Sequence, residues 1–177
     1  MTTGEALTYR EVGATRAGRL PTGYRTLRVR HLLARSAPRE DAARVGDALL
    51  RWQVHAAAHV DLRVTAAEAA PGVCVTTRLG VGPLRLAEPC EVVWTERSDD
   101  RTGFGYGTLP GHLFRGEEAF TVERDGAGDL WFVVTAYSVG AVRWVRLLGP
   151  LVVVGQRLYL RLLAHGARRV LRNGGAR

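Results

Sequence analysis

The stretch "GFGYGTLPGHLFRGEEAF", Gly103 to Phe120, decides how this chain is read. Side chains two apart along a strand share a face. Gly103, Gly105 and Gly107 therefore line one face of a strand, and Phe104, Tyr106 and Thr108 line the other. A glycine stripe lets a sheet bend sharply or lets another group approach closely. Pro110-Gly111 then reverses the chain, because Pro fixes one torsion and Gly supplies a positive one. His112 falls at the mouth of that turn, and "EEAFTVERD" returns as the partner strand.

Glu117 and Glu118 point to opposite faces of a regular strand, so they form no dyad. Glu118 shares its face with Phe120 and Val122. Pairing Thr108 with Glu118 sets Tyr106 opposite Phe120 and puts Glu118 on the face of Tyr106; a one-residue slip would swap the faces. A carboxylate on an apolar face has to be bonded or protonated. Glu118 thus reads either as a structural acceptor for turn amides or as a tuned acid/base. A histidine near a carboxylate suits acid/base work, so His112, Glu118 and Tyr106 are the candidate catalytic residues. Phe104, Thr108, Phe114, Phe120, Tyr137 and Trp52 are candidate ligand contacts, with core packing the competing reading for Trp52 and Tyr137.

Outward from the hairpin, residues 1–23 hold four glycines and a proline and read as an irregular arm, with one domain over 24–177. Residues 24–34 alternate as a strand with one wet face. Ser36 is a candidate N-cap for one helix whose stripe is Ala42, Val45, Leu49, Trp52 and Ala56. Strands are expected over about 60–66, 72–80, 83–97, 102–109, 117–124 and 129–138. The last is apolar on both faces and should be covered on both. Helical text runs from Ala141 to about Leu171, with a kink or break at Gly149-Pro150. This order predicts an α+β domain: a curved antiparallel sheet of six to seven strands gripping a long C-terminal helix. A cavity between such layers suits a small molecule.

The chain has 177 residues and a formal net charge of +8, and its 25 basic residues are all Arg. Residues 140–177 carry eight Arg and no acid. Such an end could meet an anionic partner, or it could be a solvated helix face. No zinc-finger, RNP or phosphate-loop motif is present, so no nucleic-acid partner is expected. No apolar run reaches the roughly 18–20 residues of a membrane span, and the N-terminus lacks a secretory pattern. A cytoplasmic protein is expected. Cys74 and Cys90 read as two buried thiols. His55 and His59 stand four apart without a third ligand, so no metal site and no cofactor are assigned.

The segments "LTYREVGAT" (Leu7 to Thr15), "LLRWQVH" (Leu49 to His55), "GFGYGTLPGH" and "GEEAF" resemble a domain-of-unknown-function family of bacteria and plants. Its hallmark is Tyr-Gly-Thr-Leu-Pro-Gly-His followed by Gly-Glu-Glu. The resemblance implies an architecture similar to the helix-grip proteins, the START-like and polyketide cyclase superfamily. It implies no catalytic residue, because the family has none established. This chain has Leu113-Phe114 where the family has Pro-Glu, and Ser138-Val139-Gly140 where it has Ser-Arg-Pro. Both changes make the presumed cavity mouth more apolar or more flexible, which suggests a specialised apolar ligand. The leading expectation is a domain that binds a hydrophobic small molecule. The alternative is a cyclase, dehydratase or isomerase acting on a polyketide-like substrate. A third is a protein that docks its Arg-rich last helix on an anionic partner. A homodimer is compatible with all three.

Overall fold

The computed structural model describes residues 6–80, 86–142 and 149–174. Its seven strands are β1 (Arg25–Ala34), β2 (Asp61–Val64), β3 (Cys74–Leu79), β4 (Leu86–Arg97), β5 (Arg101–Thr108), β6 (Phe114–Arg124) and β7 (Leu130–Gly140). The helices are α1 (Ala14–Ala17), α2 (Arg39–Leu50), α3 (Gln53–Ala57) and α4 (Gly149–Gly174). The strands form one curved antiparallel sheet in the order β1-β7-β6-β5-β4-β3-β2. β2 to β7 are a simple meander, and β1 closes the far edge against β7. α2, α3 and α4 pack over the concave face, so the predicted α+β helix-grip architecture is the one observed.

The core lies between those layers. Phe104, Phe120, Phe132 and Val134 rise from the sheet to meet Val45, Leu49, Trp52, Leu160 and Leu163 from the helices. β7 is covered on both faces: Phe132 and Val134 face the core, while Val133 and Tyr137 are buried on the other side.

Local chemistry departs from the sequence reading at three places. The helix predicted from Ser36 is two helices. Ser36 sits at φ 45° with its N–H on Asp129 Oδ1 at 3.0 Å, and α2 starts after Pro38 without a side-chain cap. Trp52, at φ 63°, separates α2 from α3. The break is tertiary in origin: Ala69 N–H takes the Leu50 carbonyl at 2.8 Å, and the Trp52 indole N–H donates to Ala66 O at 3.0 Å. The hairpin register also differs. Tyr106 faces Glu118 and Phe104 faces Phe120, two residues from the expected pairing. A shift of two keeps every side chain on its face. Finally, Cys74 is only half-buried; both thiols are free. Residues 81–85 and 143–148, parts of the expected fourth strand and last helix, lie outside the described residues.

The glycine stripe has a definite use. A Cβ at Gly105 would collide with the Trp94 indole, and one at Gly107 would collide with the Tyr9 ring. The face kept bare by the glycines is where Trp94 and the N-terminal arm lie against the sheet.

Candidate functional site

The hairpin sets two carboxylates on opposite sides of one strand. Glu117 faces the back of the sheet and is buried. It accepts from Tyr9 Oη at 3.0 Å, Gly13 N at 2.7 Å, Thr15 N at 3.0 Å and Trp94 Nε1 at 3.3 Å, and also from Thr15 Oγ1. These donors satisfy a charge that would otherwise be costly to bury. Glu117 clamps the arm to the sheet.

Glu118 faces the concave side. The Tyr106 hydroxyl donates to its Oε2 at 3.2 Å. Burial pushes the Glu118 carboxyl up to about 7, with the Tyr106 hydrogen bond and the nearby His112 pulling the other way. The carboxyl keeps partial exposure toward a small recess. Tyr106 is buried and held far above the ordinary phenol range, first by burial and then by the charge of Glu118. The Tyr159 hydroxyl of α4 is raised for the same two reasons, while hydrogen bonds with Thr77 and Tyr106 oppose the rise.

His112 follows the turn that Pro110 and Gly111 make. Its N–H closes on Leu109 O at 3.2 Å, and Gly111 takes φ 95°. The ring's Nδ1 lies 2.9 Å from Glu88 Oε2, and the Phe114 N–H also donates to Nδ1 at 2.9 Å. One ring nitrogen cannot donate a proton and accept one at once. The contacts to Glu88 and to the Phe114 N–H therefore compete for the one nitrogen. Glu88 also takes the Leu113 N–H at 3.0 Å. The turn amide thus goes to Glu88 and the arm amides go to Glu117, leaving Glu118 with a phenol for its partner.

The recess between this end of the sheet and α4 has a volume of about 70 Å³. Tyr106, His112, Phe114, Glu118, Ala136 and Gln156 are among its walls, and Thr108 sits at its edge. Such a space holds a few waters or a small ring, far less than the several hundred Å³ of a drug-sized site. Trp52, Phe104 and Phe120 lie deeper, in an aromatic cluster with centroid separations of 5.1 Å and 5.6 Å. They belong to the core and do not line the recess. Tyr137 borders the recess, but its ring packs edge-on against Tyr9 and Tyr24 on the back of the sheet.

Sequence reasoning missed Glu88, Gln156 and Tyr159. Tyr159 had a usable signal, because it lies one position before Leu160 and four before Leu163, on the core-facing side of α4. His55 and His59 part company: His55 is buried against Phe104 and Phe120, while His59 Nε2 lies 2.9 Å from Arg169 Nη1. No cluster of three metal-ligating side chains occurs among the described residues.

Known proteins resemble this chain in sequence or in fold. A UPF0548 protein of Deinococcus radiodurans is 48% identical over 84 residues, which is 48% of this chain and 41% of that protein. A UPF0548 protein of Arabidopsis thaliana is 36% identical over 95 residues, 50% of this chain and 44% of that protein. The matched stretches thus span less than half of either relative's length. Among solved structures, norcoclaurine synthase from Thalictrum flavum in complex with dopamine and hydroxybenzaldehyde superposes with a TM-score of 0.57 at 15% identity, over 95% of each chain. A protein of Thermus thermophilus gives 0.61 at 19% identity, over 86% of this chain and 100% of that one. At such identities the likeness establishes the fold alone. The family described as "Domain of unknown function (DUF1990)" matches residues 8–166, and this chain belongs to it.

Proposed function

We propose that this protein binds a small, largely apolar molecule in the recess between its curved sheet and α4, with a polar group of the ligand held by Glu118 and Tyr106. One observation carries the reading. Glu118 stands on the wall of the recess, it is not spent on turn amides, and its proton affinity is raised close to neutrality. A carboxyl kept there at a cost in folding free energy is a common mark of a functional site. Phe114 and Ala136 supply apolar wall, and Gln156 of α4 adds a second polar group. The recess as it stands admits a small ring. Native mass spectrometry of the purified protein, with and without Glu118→Leu, tests this. A retained small molecule lost in the variant supports it. A ligand-free wild type whose melting temperature no small aromatic acid, amine or phenol shifts would refute it.

A second reading rests on a different observation. His112, held beside Glu88, and Glu118, raised to about 7, stand on the walls of one recess. Such a pair suits acid/base chemistry on a carbonyl-bearing, polyketide-like substrate: a cyclisation, dehydration or isomerisation. Glu118→Gln and His112→Ala should each lower turnover of a candidate substrate by about 100-fold. Unchanged rates in folded variants would leave binding as the sole role.

A further inference from the structure

The outer face of α4 is unlike the rest of the surface. Val154, Leu158 and Leu162 are 64%, 57% and 46% exposed, and they account for half of the six large hydrophobic side chains exposed among the described residues. They stand four apart, so they form one stripe along the helix. The opposite side of the same helix is in use: Leu160, Leu163, Ala164 and Ala167 are buried in the core. Arg157 and Arg161 are exposed beside the stripe, and Arg172 is exposed further along the helix. No Asp or Glu occurs anywhere in α4. The helix is too charged to cross a bilayer, and no described helix is long and apolar enough to do so.

We infer that α4 is a membrane-docking surface, seating the Val154–Leu158–Leu162 stripe in the interface of an anionic lipid bilayer while its arginines meet the headgroup phosphates. An aliphatic stripe flanked by cations on a helix that lies in the plane of the interface is the pattern such surfaces bind. Charge selects this occupant over a second copy of the chain. Two α4 faces pressed together would set Arg157 and Arg161 against the same cations, with no acid on either helix to neutralise them. A nucleic acid fits worse, since its phosphates would lie against three aliphatic side chains. The other side of this helix lines the recess through Gln156, so the docked face and the recess share one element.

The test uses the full chain and sedimentation with vesicles of phosphatidylcholine alone or mixed with phosphatidylglycerol. The wild type should sediment with the mixed vesicles at low salt, less with the neutral ones, and be released as salt screens the attraction. The double variant Leu158→Ser/Leu162→Ser should weaken binding about tenfold or more. Arg157→Glu/Arg161→Glu should lose roughly fivefold per cation removed, on anionic vesicles only. Circular dichroism and melting temperature establish that both variants are folded. The inference is overturned if the wild type stays in the supernatant at low salt. It is equally overturned if binding survives the leucine variant, or if light scattering shows a dimer that the leucine variant converts to monomer.

Discussion

Replacing Glu118 by Gln should make the protein more stable, and only above a defined pH. The carboxyl ordinarily titrates near 4.5 and is raised to about 7 in the fold, chiefly by burial. Below the lower value both the folded and unfolded chains hold the proton, and the site costs nothing. Between the two values the unfolded chain ionises while the folded one does not, so stability falls as pH rises. Above about 7 both are ionised and the penalty is constant. With about 1.4 kcal/mol for each tenfold change in proton affinity, the full rise corresponds to about 3 kcal/mol. Partial exposure of the carboxyl to the recess reduces the expected figure to about 2 kcal/mol. Gln keeps an acceptor for the Tyr106 hydroxyl and cannot ionise. Urea unfolding of both proteins from about pH 4 to about pH 9 should therefore give curves that coincide at the acid end. They should separate through the interval and run parallel beyond it, with the variant the more stable. A variant equal to or weaker than the wild type at the alkaline end would mean that Glu118 is stabilised as an anion, and the raised proton affinity would be wrong.

The back of the sheet should respond in the opposite sense. Glu117→Ala strands buried donors from Tyr9, Thr15 and Trp94 and should cost about 3–5 kcal/mol in urea unfolding. Gly105→Ala drives a methyl group into the Trp94 indole and should cost about 2–3 kcal/mol, with the tryptophan fluorescence altered. His55 is fully buried, and burial lowers its imidazole from 6.5 to about 4. As pH falls through 6.5 the unfolded chain takes up a proton that the folded one refuses. The wild type should therefore lose about 3 kcal/mol by about pH 4. His55→Leu should lack that slope, and parallel curves would refute it.

Much of the architecture was written in local pattern. The alternation from Tyr24 to Ala34, the turn residues between later strands and the apolar text of β7 carried the strands, and the helical text beyond Gly149-Pro150 carried the last helix. The break at Trp52 was not legible. An apolar spacing of three and four continues across it, and its cause is a later loop, at Ala66 to Ala69, that captures Leu50 O and the Trp52 indole. Within the site, the opposite facing of Glu117 and Glu118 followed from strand geometry. Their different partners did not, because all but one of the donors to Glu117 come from about a hundred residues upstream. The Glu88 contact to His112 arises from strand pairing at a distance, which one sequence does not encode locally.

The clamp on Glu117 also has a consequence in time. Tyr9 and Thr15 leave the ribosome well before their acceptor, which lies 108 and 102 positions later in the chain. β1 waits as long, since its hydrogen-bonding partner is β7. During synthesis Tyr9 and Thr15 therefore lack their carboxylate until β6 is made, and they have to stay clear of wrong partners meanwhile. Contacts this distant in sequence slow folding, because loop closure comes before its reward. The bare surface at Gly107 is then filled late, by a tyrosine made long before it.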